Sequence, residues 1–165
     1  MKQYFNALPG ELSLKDWKIF LATWGGSGLF KTAPGTMGTI ASIPLGFLLQ
    51  YFFGIPGLLI GIAICIWIGT DTVHYYMHQT GKDDPPEVVI DETAGMWIAA
   101  IPAGTTWELW LVAFLLFRLF DIKKPWPASY YDKKRKGAWA VMMDDLVAGA
   151  YAFLGVATVA LTFIS

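Results

Sequence analysis

TAPGTMGTIASIPLGFLLQYFFGIPGLLIGIAICIWIGT, residues 32–70, contains no charged side chain. A membrane-spanning helix needs about 20 consecutive apolar residues, so this stretch is long enough for two. Gly54-Ile55-Pro56-Gly57 falls near its middle, and Gly and Pro together mark a tight turn. The pattern predicts one helix over 36–53 and a second over 56–76. A soluble domain of 165 residues has too small an interior to surround both. A bilayer accepts them, because a helix satisfies its own backbone polar groups.

Composition agrees. Hydrophobic residues make up 55% of the chain and charged residues 15%, against about 25% charged in a soluble domain. The net charge of -1 gives no basic surface for a nucleic-acid partner. The one cysteine, Cys65, lies in the apolar run 62–68. It forms no internal disulfide and reads as a small buried hydrophobe. Cysteine-phosphatase chemistry needs an Arg six positions further on, where Asp71 stands. The first apolar stretch follows Lys15 and Lys18 and is short, so no cleavable leader is expected.

Downstream, 81–87 is a polar loop. The chain then turns apolar from Asp91-Glu92 to Arg118, and 146–165 is an uncharged final span. The third stretch crosses once, or forms a hairpin broken at Pro102-Ala103-Gly104-Thr105-Thr106. Charge decides between them. With a hairpin and a cytoplasmic N-terminus, all 12 Lys and Arg residues fall on the cytoplasmic side, as the positive-inside tendency requires. A single crossing would place Lys123, Lys124 and Lys133 to Lys136 outside. The expected fold is all-α: a polytopic membrane helix bundle, one domain over 1–165, with a short helical hairpin near 87–120. Its half-helices, near 87–101 and 105–120, are short for full spans and call for tilt or local thinning. Glu108 then lies toward the outer side. Apolar residues at 14, 17, 20, 21 and 24 predict an amphipathic N-terminal helix over Leu12–Trp24.

This topology gathers Asp71, Asp91, Glu92, Asp121, Asp144 and Asp145 at one interface, each at the end of a span. Acidic groups beside hydrocarbon call for partners, and clustered carboxylates suit a hard cation such as Mg²⁺. A bland reading competes: Asp91-Glu92 and Asp144-Asp145 open helices, where the dipole favours negative charge. Neighbouring acids on a helix point about 100° apart, so one of each pair meets a metal directly and the other serves its surroundings.

Two further elements bear on anions. The glycine-rich run from Gly25 to Thr39 leads into the first long helix. Its backbone amides, Ser27, Thr36 and the charge of Lys31 make a candidate phosphate cradle. The competing reading is a flexible loop with Thr36 capping the helix. The second element, Arg118 to Pro127, sets Arg118, Lys123 and Lys124 around Asp121. It reads either as a basic loop for anionic lipid heads or as phosphate capture, with Asp121 joining the metal. Lys133 to Lys136 read as a solvated, lipid-facing patch. His74 and His78, one turn apart beyond Asp71, read as interfacial residues or as acid–base groups, and that choice stays open.

Several phrases carry a resemblance: Gly26–Gly28, Ala33–Thr39 (APGTMGT), Val89–Gly95 (VIDETAG), Phe117–Pro127 (FRLFDIKKPWP), and Lys136-Gly137 followed by Met142–Gly149 (MMDDLVAG). In this order, over most of its length, the chain resembles the phosphatidylglycerophosphatase A family of bacterial membrane lipid phosphatases. Ala138 and Ala128 depart from the family's usual Gly and Ile and bear on loop shape. The resemblance implies Mg²⁺-dependent hydrolysis of phosphatidylglycerol phosphate to phosphatidylglycerol and phosphate, at the cytoplasmic face of the bacterial inner membrane. Catalysis and metal binding are then expected of Asp91, Glu92, Asp121, Asp144 and Asp145, and phosphate binding of Ser27, Lys31, Thr36, Arg118, Lys123 and Lys124. The alternatives fit less well. A CDP-alcohol phosphotransferase-like enzyme carries a long ordered acidic signature absent here. A small membrane transporter calls for acids in mid-membrane rather than at span ends.

Overall fold

The computed structural model describes residues 4–130 and 137–164. Among the described residues its main α-helices are α1 (Trp17–Ala22), α2 (Pro34–Thr80), α3 (Ile90–Ala100), α4 (Trp107–Lys123) and α5 (Ala138–Ile164). Among the described residues no strand forms beyond a single bridge between Phe5 and Phe30. The basic run 133–136 lies outside the described residues.

α2 contains both helices expected from the uncharged stretch. At Gly54 the backbone leaves the helical region (φ 64°, ψ -161°), a conformation only Gly adopts freely. The chain doubles back there. Gly57 and Gly61 of the second arm face Phe53 and Leu49 of the first, with no room for a larger side chain. The helix begins at Pro34, whose fixed φ suits a first helical position, and continues to Thr80. Gly81, at φ 68°, ends it with an N–H bonded to the Met77 carbonyl at 2.8 Å. Both arms thus extend slightly beyond the ranges their apolar residues mark.

α3 is the buried centre. Its 11 residues rise only about 16 Å, too little to cross a hydrocarbon core of about 30 Å. A turn at Ile101–Ala103 and Gly104 (φ 56°) returns the chain into α4, so the third apolar stretch is a hairpin. Two bonds hold it to the first arm of α2: Trp97 Nε1 donates to the Ser42 carbonyl at 3.0 Å, and Gln50 Nε2 donates to that of Ile101 at 2.9 Å. On the other side Gly95 meets Gly149 of α5, where an added Cβ would strike backbone. Small residues let helices approach this closely, as in membrane bundles.

α1 is shorter than the spacing predicts. Asp16 caps it by accepting from the Lys18 amide at 2.9 Å, and Trp24, Gly25 and Gly26 end it with positive φ. Ile19 and Ala22 are fully buried, but Trp17 and Phe20 are exposed, so its outer face is apolar as well as polar. Lys18 pairs with Asp71 at 2.8 Å and Asp16 accepts from the Tyr75 hydroxyl at 2.9 Å, which fastens α1 to the second arm of α2.

Large apolar side chains cover the outside. Leu48, Phe52, Ile60 and Trp67 of α2, Leu115 of α4 and Leu154 of α5 are 48–78% exposed. Soluble proteins rarely present so continuous a patch. α2 and α5 are each long and apolar enough to cross a membrane.

Candidate active site

At the polar ends of α3, α4 and α5 lies a cavity of about 320 Å³. Each helix delivers its charged residues there for a local reason. Asp91 and Glu92 occupy the first turn of α3, where backbone N–H groups lack helical partners and favour negative charge. Asp121 and Lys124 come from the end of α4, and Asp144 and Asp145 from α5, one turn before the Gly149 crossing. The start of α2 supplies Ala33, Pro34 and Gly35. Gly35 is packed against the Glu92 carboxylate and the Arg118 guanidinium, where a Cβ would collide.

Among the described residues, six carboxylates and two cations line this space. Asp91, Asp144 and Asp145 are no more than 8% exposed. Arg118 pairs with Asp121 and also reaches the Thr39 hydroxyl at 3.5 Å. Lys124 Nζ lies 2.6 Å from Asp144 Oδ2. One oxygen each from Asp91, Glu92 and Asp145 lies within 4.8 Å of the others. Buried carboxylates this close repel one another and are costly unless a cation joins them.

The donor set fits a hard divalent ion. It is all oxygen and strongly acidic, and Glu92 Oε2 is buried without a hydrogen-bond partner among the described residues. Oxygens at 2.0–2.1 Å on opposite sides of Mg²⁺ are about 4.2 Å apart, so the observed spread closes with a small movement. Arg118 Nε is likewise buried and unpartnered, beside a helix start whose Gly35 and Thr36 amides have no intrahelical acceptor. That corner is suited to an anion.

Of the residues singled out in the sequence, Asp91, Glu92, Arg118, Asp121, Lys124, Asp144 and Asp145 line the cavity. Ser27, Lys31, Thr36 and Lys123 do not. Ser27 donates to the Trp24 carbonyl at 2.9 Å, closing the turn after α1. Lys31 and Lys123 are exposed. Thr36 lies inside the first turn of α2, whose N-cap is Ala33, so Thr36 is not the cap. Asp71 and His74 face a separate depression beside Trp67 and Trp139. His78 is exposed. Asp84, with Pro85 and Pro86 at the cavity rim, was not anticipated. Its signal was present in the charged, proline-stiffened turn 81–87, which reads from sequence alone as an ordinary loop.

The phosphatidylglycerophosphatase A family profile matches residues 20–160. A phosphatidylglycerophosphatase A of Escherichia coli is 38% identical over 155 residues, covering 90% of this chain and 87% of the relative. One of Haemophilus influenzae is 39% identical over 146 residues, covering 87% and 89%. A protein of Bacteroides thetaiotaomicron, provisionally named a phosphatidylinositol-3-phosphatase, is 33% identical over 145 residues, covering 84% and 91%. No solved structure matches. The chain belongs to the phosphatidylglycerophosphatase A family and is an enzyme of the phosphatase class.

Proposed function

We propose that this protein hydrolyses phosphatidylglycerol phosphate to phosphatidylglycerol and phosphate, with Mg²⁺, at the cytoplasmic face of a bacterial inner membrane. The observation that carries this reading is the position of the acidic and basic cavity. Exposed Ile122 stands in its wall, and the converging carboxylates of Asp91, Glu92 and Asp145 sit beside the Arg118 corner. The lipid's acyl chains stay in the bilayer while its terminal phosphate reaches the cavity.

The fold is a multi-pass bundle in this reading. The two arms of α2, the α3–α4 hairpin and α5 enter the membrane from one side. The exposed Trp17 and Phe20 rest α1 on that surface. All 12 Lys and Arg residues then lie on the cytoplasmic side, in keeping with the positive-inside rule.

Asp91, Glu92 and Asp145 would hold Mg²⁺, which supplies charge neutralisation at a phosphate oxygen and lowers the pKa of a bound water. Arg118 and the Gly35 amide hold the remaining phosphate oxygens, and Thr39 and Asp121 fix the guanidinium. In hydrolysis a water oxygen bonds to phosphorus as the bond from phosphorus to the glycerol oxygen breaks, and a proton from that water ends on the departing oxygen, giving the alcohol and inorganic phosphate. Positioning and charge stabilisation are the main contributions a protein makes to such a reaction.

The test is phosphate release from phosphatidylglycerol phosphate by the purified protein in detergent, with Mg²⁺ or with EDTA. Release with Mg²⁺ that stops with EDTA supports the reading. Release that continues in EDTA removes the metal from it, and no release by folded protein removes the substrate.

A further inference from the structure

We propose that Lys124 takes the place of a second metal ion: its ammonium group occupies Asp144, so the cavity holds one divalent cation, on Asp91, Glu92 and Asp145. This rests on the metal-dependent reading above and goes beyond it by fixing the stoichiometry and the role of Lys124.

Two-metal phosphoryl-transfer sites hold their ions roughly 3.5–4 Å apart between shared carboxylates. This cavity has enough acids for such a pair. Asp144 and Asp84 line it in addition to the triad, and Asp144 adjoins Asp145 in the chain. Yet Asp144 Oδ2 is 2.6 Å from Lys124 Nζ. Asp121, a further acid of the wall, is engaged by Arg118. Arg118 and Lys124 thus hold two of the six carboxylates, and of the four left Asp91, Glu92 and Asp145 are the three whose oxygens converge, with Asp84 apart from them at the rim.

The backbone of Lys124 points the same way. It closes α4 in the left-handed region, at φ 43°, where Gly is the easy choice and a side chain is a strain. The helix ends in this way with a lysine, and that lysine turns back to Asp144. A fixed ammonium supplies positive charge beside the metal without needing to be captured from solution, and it cannot be removed by a chelator.

The test uses Mn²⁺ as the probe ion and the full chain in a neutral detergent, with bound Mn²⁺ per chain counted by electron paramagnetic resonance. Wild type and Lys124→Arg should each bind one ion. Lys124→Met should bind two, the second with weaker affinity, and adding Asp144→Asn to that variant should return the count to one. Two ions on wild type, or one on Lys124→Met, would overturn the proposal and leave metal-dependent hydrolysis standing. A Lys124→Met chain that binds none would also contradict it, because the triad does not depend on the lysine. No Mn²⁺ on wild type would remove the metal-dependent reading itself, and this inference with it.

Discussion

Gly95 of α3 and Gly149 of α5 meet backbone to backbone, and one turn before each glycine its helix carries an aspartate, Asp91 and Asp145. The crossing sets the distance between those carboxylates. Gly149→Leu should force the helices apart, because its side chain would strike the Gly95 backbone. Overpacking of this kind costs about 1–3 kcal/mol or more. Thermal unfolding in detergent should show a lowered midpoint, and phosphate release should fall with it. Gly155→Ala is the control. Its Cβ would meet only the end of the Leu116 side chain, which can move, so a much smaller shift is expected.

Arg118→Lys keeps the charge and loses the planar fork that serves both Asp121 and Thr39. Arg and Lys are not interchangeable at such a position. The expected result is a KM for the lipid phosphate raised roughly tenfold, about 1.4 kcal/mol, with a smaller change in kcat. Steady-state kinetics at saturating Mg²⁺ check it. An unchanged KM would place the phosphate elsewhere.

The hairpin between α3 and α4 makes a topological prediction. In a Cys65→Ser background, Asp84→Cys should react with an impermeant thiol reagent only from the cytoplasmic side. Thr105→Cys, in the turn at the far end of the hairpin, should react only from the opposite side. Labelling of both from one side would contradict the proposed arrangement.

The elements whose signals are local were legible in the sequence. Gly54 and Pro56 marked the reversal of α2, and Pro102 to Thr106 marked the turn after α3, because glycine and proline act through their own backbone. The grouping of Asp91, Glu92, Arg118, Asp121, Lys124, Asp144 and Asp145 followed from charge lying only at the ends of apolar runs. Selection within that group was not legible. It depends on the Gly95–Gly149 crossing, a contact between helices far apart in sequence. Ser27 and Thr36 looked like side-chain anion donors in a glycine-rich loop, but the Ser27 hydroxyl closes a turn and Thr36 lies in the first turn of α2, where its backbone amide rather than a cap is what it offers. Asp84 depends on how the 81–87 turn folds back, which no spacing rule specifies. The expected helix over Leu12–Trp24 shortened to Trp17–Ala22 because Asp16 caps it locally, a competition that apolar periodicity does not register.

The most direct test of the site is turnover of phosphatidylglycerol phosphate by Asp145→Asn beside wild type, with unfolding followed in the same samples. Asn keeps the shape of the side chain and removes one converging charge. Loss of phosphate release by at least two orders of magnitude, in a chain that unfolds no earlier than wild type in the absence of metal, is the predicted result. Full turnover by Asp145→Asn would show that the chemistry takes place outside this cavity.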